Sequence, residues 1–141
     1  MKTAVMLGTR PEIIKMAPVI KELERRKADY FILHTGQHYS YDMDRVFFNE
    51  LDLPEPKYKL SDVRNKRFHG SQTANMLVGA ERALLTEKPK VILVCGDANT
   101  NLAGALAARK LHISVGHVEA GLRSNDWRMP EEHNRVMIDH I

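Results

Sequence analysis

The chain predicts a doubly wound α/β domain, Rossmann-like, with a parallel sheet covered by helices on both faces. Three observations carry this. Short apolar runs alternate with amphipathic helical segments along the chain, the pattern of strand–helix–strand units joined by right-handed crossovers. The runs are apolar nearly throughout, as strands buried on both faces are. Finally, three of them exit into charged loops: Leu7-Gly8-Thr9-Arg10-Pro11-Glu12, Val94-Cys95-Gly96-Asp97-Ala98-Asn99-Thr100 and Val115-Gly116-His117-Val118-Glu119-Ala120-Gly121-Leu122-Arg123-Ser124. Parallel strands present all their carboxyl ends on one edge, so three such loops make a site.

Thr3 to Leu7 reads as the first strand, and Thr9 offers a helix N-cap with Pro11 and Glu12 in the first turn. The helix that follows buries Ile13, Ala17, Ile20 and Leu23 and ends in Glu24-Arg25-Arg26-Lys27. A second strand, Tyr30 to His34, exits into Thr35-Gly36-Gln37-His38, and Ser40 to Leu51 reads as a helix. Leu53-Pro54-Glu55-Pro56 breaks the pattern, and Tyr58-Lys59-Leu60 is a short strand before a polar loop, Ser61 to Gly70. Ser71 to Glu87 is a helix with Thr73, Leu77, Ala80 and Leu84 on one face, stopped by Lys88-Pro89-Lys90 ahead of strand Val91 to Val94. An Ala-rich helix, Thr100 to Leu111, with Asn99 and Thr100 available to cap it, leads to a buried strand, Ile113 to Val118. From Pro130 the chain again reads as a helix, with acids in the first turn, apolar Val136, Met137, Ile138 and Ile141, and no C-cap. The expectation is one N-terminal domain over 1–141, cut within its last helix, with those apolar residues exposed.

At 141 residues and 43% hydrophobic content the chain has enough material for one core. Its net charge of +3 comes from Lys and Arg interspersed with acids. There is no basic block to follow a phosphate backbone, which argues against a nucleic-acid partner. Cys95 is the only cysteine, so neither an internal disulfide nor a cysteine metal framework is available, and it reads as a small buried hydrophobe. The N-terminal apolar run is too short for a signal peptide, and no run approaches a membrane span of about 20 residues. A reducing cytoplasm fits. The glycine fingerprint of dinucleotide sites and the phosphate-binding P-loop are both missing, against NAD and ATP. His34 and His38 are four apart, but Thr35-Gly36 between them opposes a helical zinc pair, and no metal site is expected.

The loops carry the chemistry. Asp97, at a strand-to-helix junction beside Gly96, reads either as a general acid or base or as a turn-holding residue. Glu119, directly after an apolar strand, is expected to be partly buried with a tunable pKa, and Gly121 leaves room for a ligand. Of Glu131 and Glu132, one is expected simply to complement the helix dipole, while Glu131 is placed to supply a third carboxylate. Three acids in one cleft suit removal of a proton from carbon and its return on the opposite face. Arg10, and Lys15 one turn later, offer positive charge beside a helix N-terminus, suited to a diphosphate; Lys15 reads equally as a solvated helix lysine.

Together, GTRPEIIKMAP, TGQH, GDANTNLAGALAA, VGHVEAGLRS and MPEEHNR resemble the non-hydrolysing UDP-N-acetylglucosamine 2-epimerases, in order and spacing, over nearly the whole chain. The resemblance implies the N-terminal half of a GT-B-type, two-domain enzyme that interconverts UDP-GlcNAc and UDP-ManNAc through 2-acetamidoglucal, with no cofactor. It implies a cytoplasmic homodimer serving cell-surface polysaccharide synthesis. By position, Asp97, Glu119 and Glu131 match the catalytic acids. Arg10 and Lys15 match substrate-binding positions, with Asp97 and Glu119 also facing substrate. Gln37 and His38 match a block near a regulatory UDP-GlcNAc, and Arg123 and Arg135 are candidates to pair with the carboxylates. Ala98 stands where the family commonly has Thr, removing one hydroxyl. The family's second domain, with its histidine and most of the nucleotide surface, has no counterpart in this sequence, so the chain alone is expected to be inactive. The alternatives are a hydrolysing 2-epimerase that releases free ManNAc, and a non-catalytic binding or dimerisation module.

Overall fold

The computed structural model describes residues 1–37, 41–61, 63 and 68–141, with side chains left aside at 41–43. Five parallel strands, β1 (Thr3–Leu7), β2 (Tyr30–His34), β3 (Tyr58–Lys59), β4 (Val91–Cys95) and β5 (Ser114–Val118), lie in the order β3-β2-β1-β4-β5. The chain winds outward from β1 in one direction, then returns to build β4 and β5 on its other side. The two halves diverge between β1 and β4, the switch point where ligands bind in such sheets.

Side-chain alternation along β1 splits the core into two layers. Val5 and Leu7 face Ile13, Met16 and Ile20 of α1 (Arg10–Arg25) and Phe48 of α2 (Tyr41–Glu50). Ala4 and Met6 face the other way, onto α3 (His69–Glu87), α4 (Asn99–Lys110) and Ile138 of α5 (Pro130–His140). Burying each of these large apolar side chains is worth about 1.5–3 kcal/mol. The alanines of α4 let it lie close on the sheet, and a Cβ on Gly104 would press into Met6 and Val94.

Four sequence expectations are corrected. Among the described residues β5 is an edge strand and is half-exposed rather than buried, because it is paired on one side only, with β4. The buried stripe of α3 is Met76, Ala80, Ala83 and Leu84, because these are the residues that pack into the core layer, with Thr73 and Leu77 only half-buried. α4 begins at Asn99 with Ala98 as its N-cap residue, so neither Asn99 nor Thr100 caps it. In α5, Ile138 is in the core and Val136 is half-buried, leaving Met137 and Ile141 exposed.

Each of α1 to α4 returns to the sheet through a non-glycine residue with left-handed backbone: Lys27, Asp52, Lys88 and His112. At three of them the following N–H reaches back five residues in the bonding pattern of a Schellman stop, as in Ala28 N–H to Leu23 O at 2.9 Å. Glu119 and Asn125 are the other non-glycine residues with positive φ among those described, and they lie on the opposite edge, in the loop after β5.

Candidate active site

The exit of β1 is fixed by Glu12. As the third residue of α1 its carboxylate accepts the Gly8 N–H at 2.6 Å and the Thr9 N–H at 2.8 Å, closing the turn into the helix. Its other oxygen accepts from Asn101 Nδ2 at 2.8 Å. Asn101 in turn brackets the last residue of β4, receiving Cys95 N–H at 3.0 Å and donating to Cys95 O at 2.7 Å. One buried pair thus fastens the β1 and β4 exits together across the switch point. Burial pushes the Glu12 carboxyl up to about 7, against the pull of the Gly8, Thr9 and Asn101 donors. Burial likewise pushes the Cys95 thiol up to about 11, keeping it a neutral core group.

Gln37 caps α4 from outside the helix. Its Oε1 accepts both the Thr100 N–H and the Thr100 hydroxyl at 2.8 Å, doing for the helix what the Ala98 side chain cannot. Thr35 and Thr100 hydroxyls meet at 2.8 Å directly over Gly8, where no Cβ would fit.

These exits surround a cavity of about 230 Å³ lined by Pro11, Lys15, Gln37, Asp97, Ala98 and Glu131, among others. Asp97 forms an ion pair with Arg135 of α5, and Asn134 Nδ2 holds the Asp97 carbonyl at 2.8 Å. Arg135 also reaches Glu132 at 3.0 Å. Glu132 is the structural member of its pair: the Ser124 N–H and hydroxyl, Arg135 and the Asn125 N–H hold its carboxyl down to about 2. Glu131, half-buried, faces the cavity instead.

Glu119 stands at the edge of this group. Its side chain is 30% exposed and accepts from Lys15 Nζ at 2.9 Å, an ion pair that raises the Lys15 pKa. Its carboxylate passes over Gly96, whose missing Cβ leaves the room, since that atom would lie 3.1 Å from Oε2. The fold therefore brings Asp97, Glu119, Glu131 and Lys15 together. Arg10 is placed apart from them: its Nε lies 3.5 Å from the buried Asp44 of α2, its guanidinium sits over Phe47, and it lines no part of the cavity. Arg123 pairs with Asp139 at 2.6 Å rather than with a cavity acid. His38 lies outside the described residues. Among those described, no group of three or more His, Cys, Asp or Glu is arranged to hold a metal ion, and no helix is long and apolar enough to cross a membrane.

A family model described as UDP-N-acetylglucosamine 2-epimerase matches residues 21–141. The chain belongs to that family. A UDP-N-acetylglucosamine 2-epimerase of Methanocaldococcus jannaschii is 58% identical over all of this chain and 38% of its own length. Its crystal structure, in complex with UDP-GlcNAc and UDP, superposes with a TM-score of 0.93 over 99% of this chain and 38% of that one. A Pseudomonas aeruginosa UDP-2,3-diacetamido-2,3-dideoxy-D-glucuronate 2-epimerase is 46% identical over all of this chain and 40% of its own length. The chain thus spans about two-fifths of the length of these family members and corresponds to their N-terminal part, the Rossmann-like half of a GT-B-type fold.

Proposed function

We propose that this chain is the acid–base half of a non-hydrolysing UDP-GlcNAc 2-epimerase, with Asp97, Glu119 and Glu131 as its catalytic acids and bases. What carries the reading is the convergence of these three carboxylates and Lys15 on the β1/β4 switch point. One carboxylate takes the C-2 proton; the C–H electron pair forms the C-1=C-2 bond, and the C-1–O bond breaks with its pair going to UDP. A proton returns to the opposite face of C-2 as the diphosphate oxygen re-adds to C-1. No electrons leave the substrate, so no redox cofactor is required. Lys15 and, on swinging away from Asp44, Arg10 bind the negative charge that develops on the diphosphate. The cavity of about 230 Å³ is smaller than the roughly 300–1,000 Å³ of complete small-molecule sites. That supports a cleft completed by a second, nucleotide-binding domain, and an inactive chain when 1–141 stands alone. The whole enzyme is read as a cytoplasmic homodimer. A second UDP-GlcNAc beside Gln37 and His38 would press on the residue that caps α4, linking an effector there to Asp97.

The test is incubation of the full-length protein with UDP-GlcNAc in deuterated water. The expected result is deuterium at C-2 with UDP-ManNAc and no free sugar, lost in Glu119→Gln, and no exchange by the 141-residue chain alone. Release of free ManNAc and UDP would establish the hydrolysing reaction instead, and the absence of exchange in the full-length protein would overturn the epimerase reading.

A further inference from the structure

Asp139, near the end of α5, takes no part in the chemistry above, yet it holds the loop after β5 directly and reaches the loop after β4 through His117. Its Oδ1 lies 2.6 Å from His117 Nδ1, and its Oδ2 accepts the Gly121 N–H at 2.9 Å and the Arg123 guanidinium at 2.6 Å. The side chain is 11% exposed. Burial opposes its charge, but Arg123, the Gly121 N–H and His117 outweigh it and hold the carboxyl below the usual range. On its far side the His117 ring donates from Nε2 to the Gly96 carbonyl at 2.8 Å. Gly96 precedes Asp97, and Gly121 lies two residues beyond Glu119.

The turn between β5 and Gly121 is strained. Glu119 has φ +72°, a left-handed conformation that is costly for a non-glycine residue and persists only where surrounding contacts impose it. Gly121 follows with φ +82° and open space where its side chain would be. The turn has little packing of its own, and the Asp139 bond to the Gly121 N–H closes it. Released, Glu119 would relax to an extended backbone and swing its carboxylate away from Lys15 and Gly96.

We propose that Asp139 is a positioning residue for epimerisation: it holds the strained turn that presents Glu119 and, through His117, the carbonyl that orients Asp97. This rests on the functional reading above. The role is felt in the chemical step rather than in substrate capture, because displacement of a reacting group by about 1 Å costs as much as 10²-fold in rate.

The experiment compares Asp139→Asn and Asp139→Ala with the unmutated full-length protein, by kcat and KM for UDP-GlcNAc and by C-2 deuterium exchange. For Asp139→Ala, kcat and exchange are expected to fall together by about 10–100-fold with KM within about threefold. Asp139→Asn keeps an acceptor for Gly121 and should recover part of the loss. His117→Gln combined with Asp139→Asn is expected to lose no more than the worse single variant, since both act through one chain of contacts. Unchanged kcat in a folded Asn variant, a loss confined to KM, or fully additive losses would overturn the proposal. So would an Asn variant that fails to fold, because the role would then be structural. An unmutated protein with no exchange removes the functional reading itself; exchange in that protein with an equally active Asn variant removes only the role of Asp139.

Discussion

Glu12 shows how one carboxyl can serve the fold and be sensitive to pH at once. Folding raises its pKa from 4.5 to about 7, so the folded protein binds a proton more tightly than the unfolded chain. The stability this contributes, on the order of 3 kcal/mol at most, is complete below about pH 4.5 and is lost as pH climbs through about 7. Glu12→Gln should flatten that decline, so urea midpoints measured at pH 5 and pH 8 should lie closer together in the variant than in the parent. A signal for this residue was present in the sequence, since Thr9-x-x-Glu12 has the spacing of a capping box. Its partner Asn101 carried none, being 89 residues away. The acids proposed for the site, Asp97, Glu119 and Glu131, were legible because each stands at the end of an apolar run or beside a proline. The Arg10–Asp44 pair was not, because it depends on how α2 docks on α1.

Between elements, the junction of β1, β2 and α4 is tightly packed at Gly8. A Cβ on Gly8 would overlap the hydroxyls of Thr35 and Thr100 at once, and neither lies at the end of a flexible side chain. Gly8→Ala should therefore cost about 1–3 kcal/mol, read as a lower melting temperature, by forcing the α4 N-terminus away from Gln37. Strand positions were legible to within a residue or two, because fully apolar runs bounded by charge have few other readings. The start of α4 was misread for a definite reason: its capping acceptor comes from Gln37, 63 residues earlier, and local spacing holds no record of it. The edge position of β5 was also invisible, since strand order is decided by crossovers rather than by composition.

Across the described residues, the candidate site and the helix-to-strand turnarounds are kept on opposite edges of the sheet. The strand exits carry the acids, the cavity and the strained Glu119, and the helix exits carry Lys27, Asp52, Lys88 and His112. At those four positions the left-handed backbone crowds a Cβ for no chemical return. Glycine there removes about 1 kcal/mol of crowding each, less a smaller loss to unfolded-state entropy. This division marks out where a hardier protein can be engineered. Replacing all four with glycine is expected to raise the melting temperature by about 5 °C while the proposed epimerisation by the full-length protein stays at the parent rate, whereas the same remedy at Glu119 would trade that proposed reaction for heat resistance.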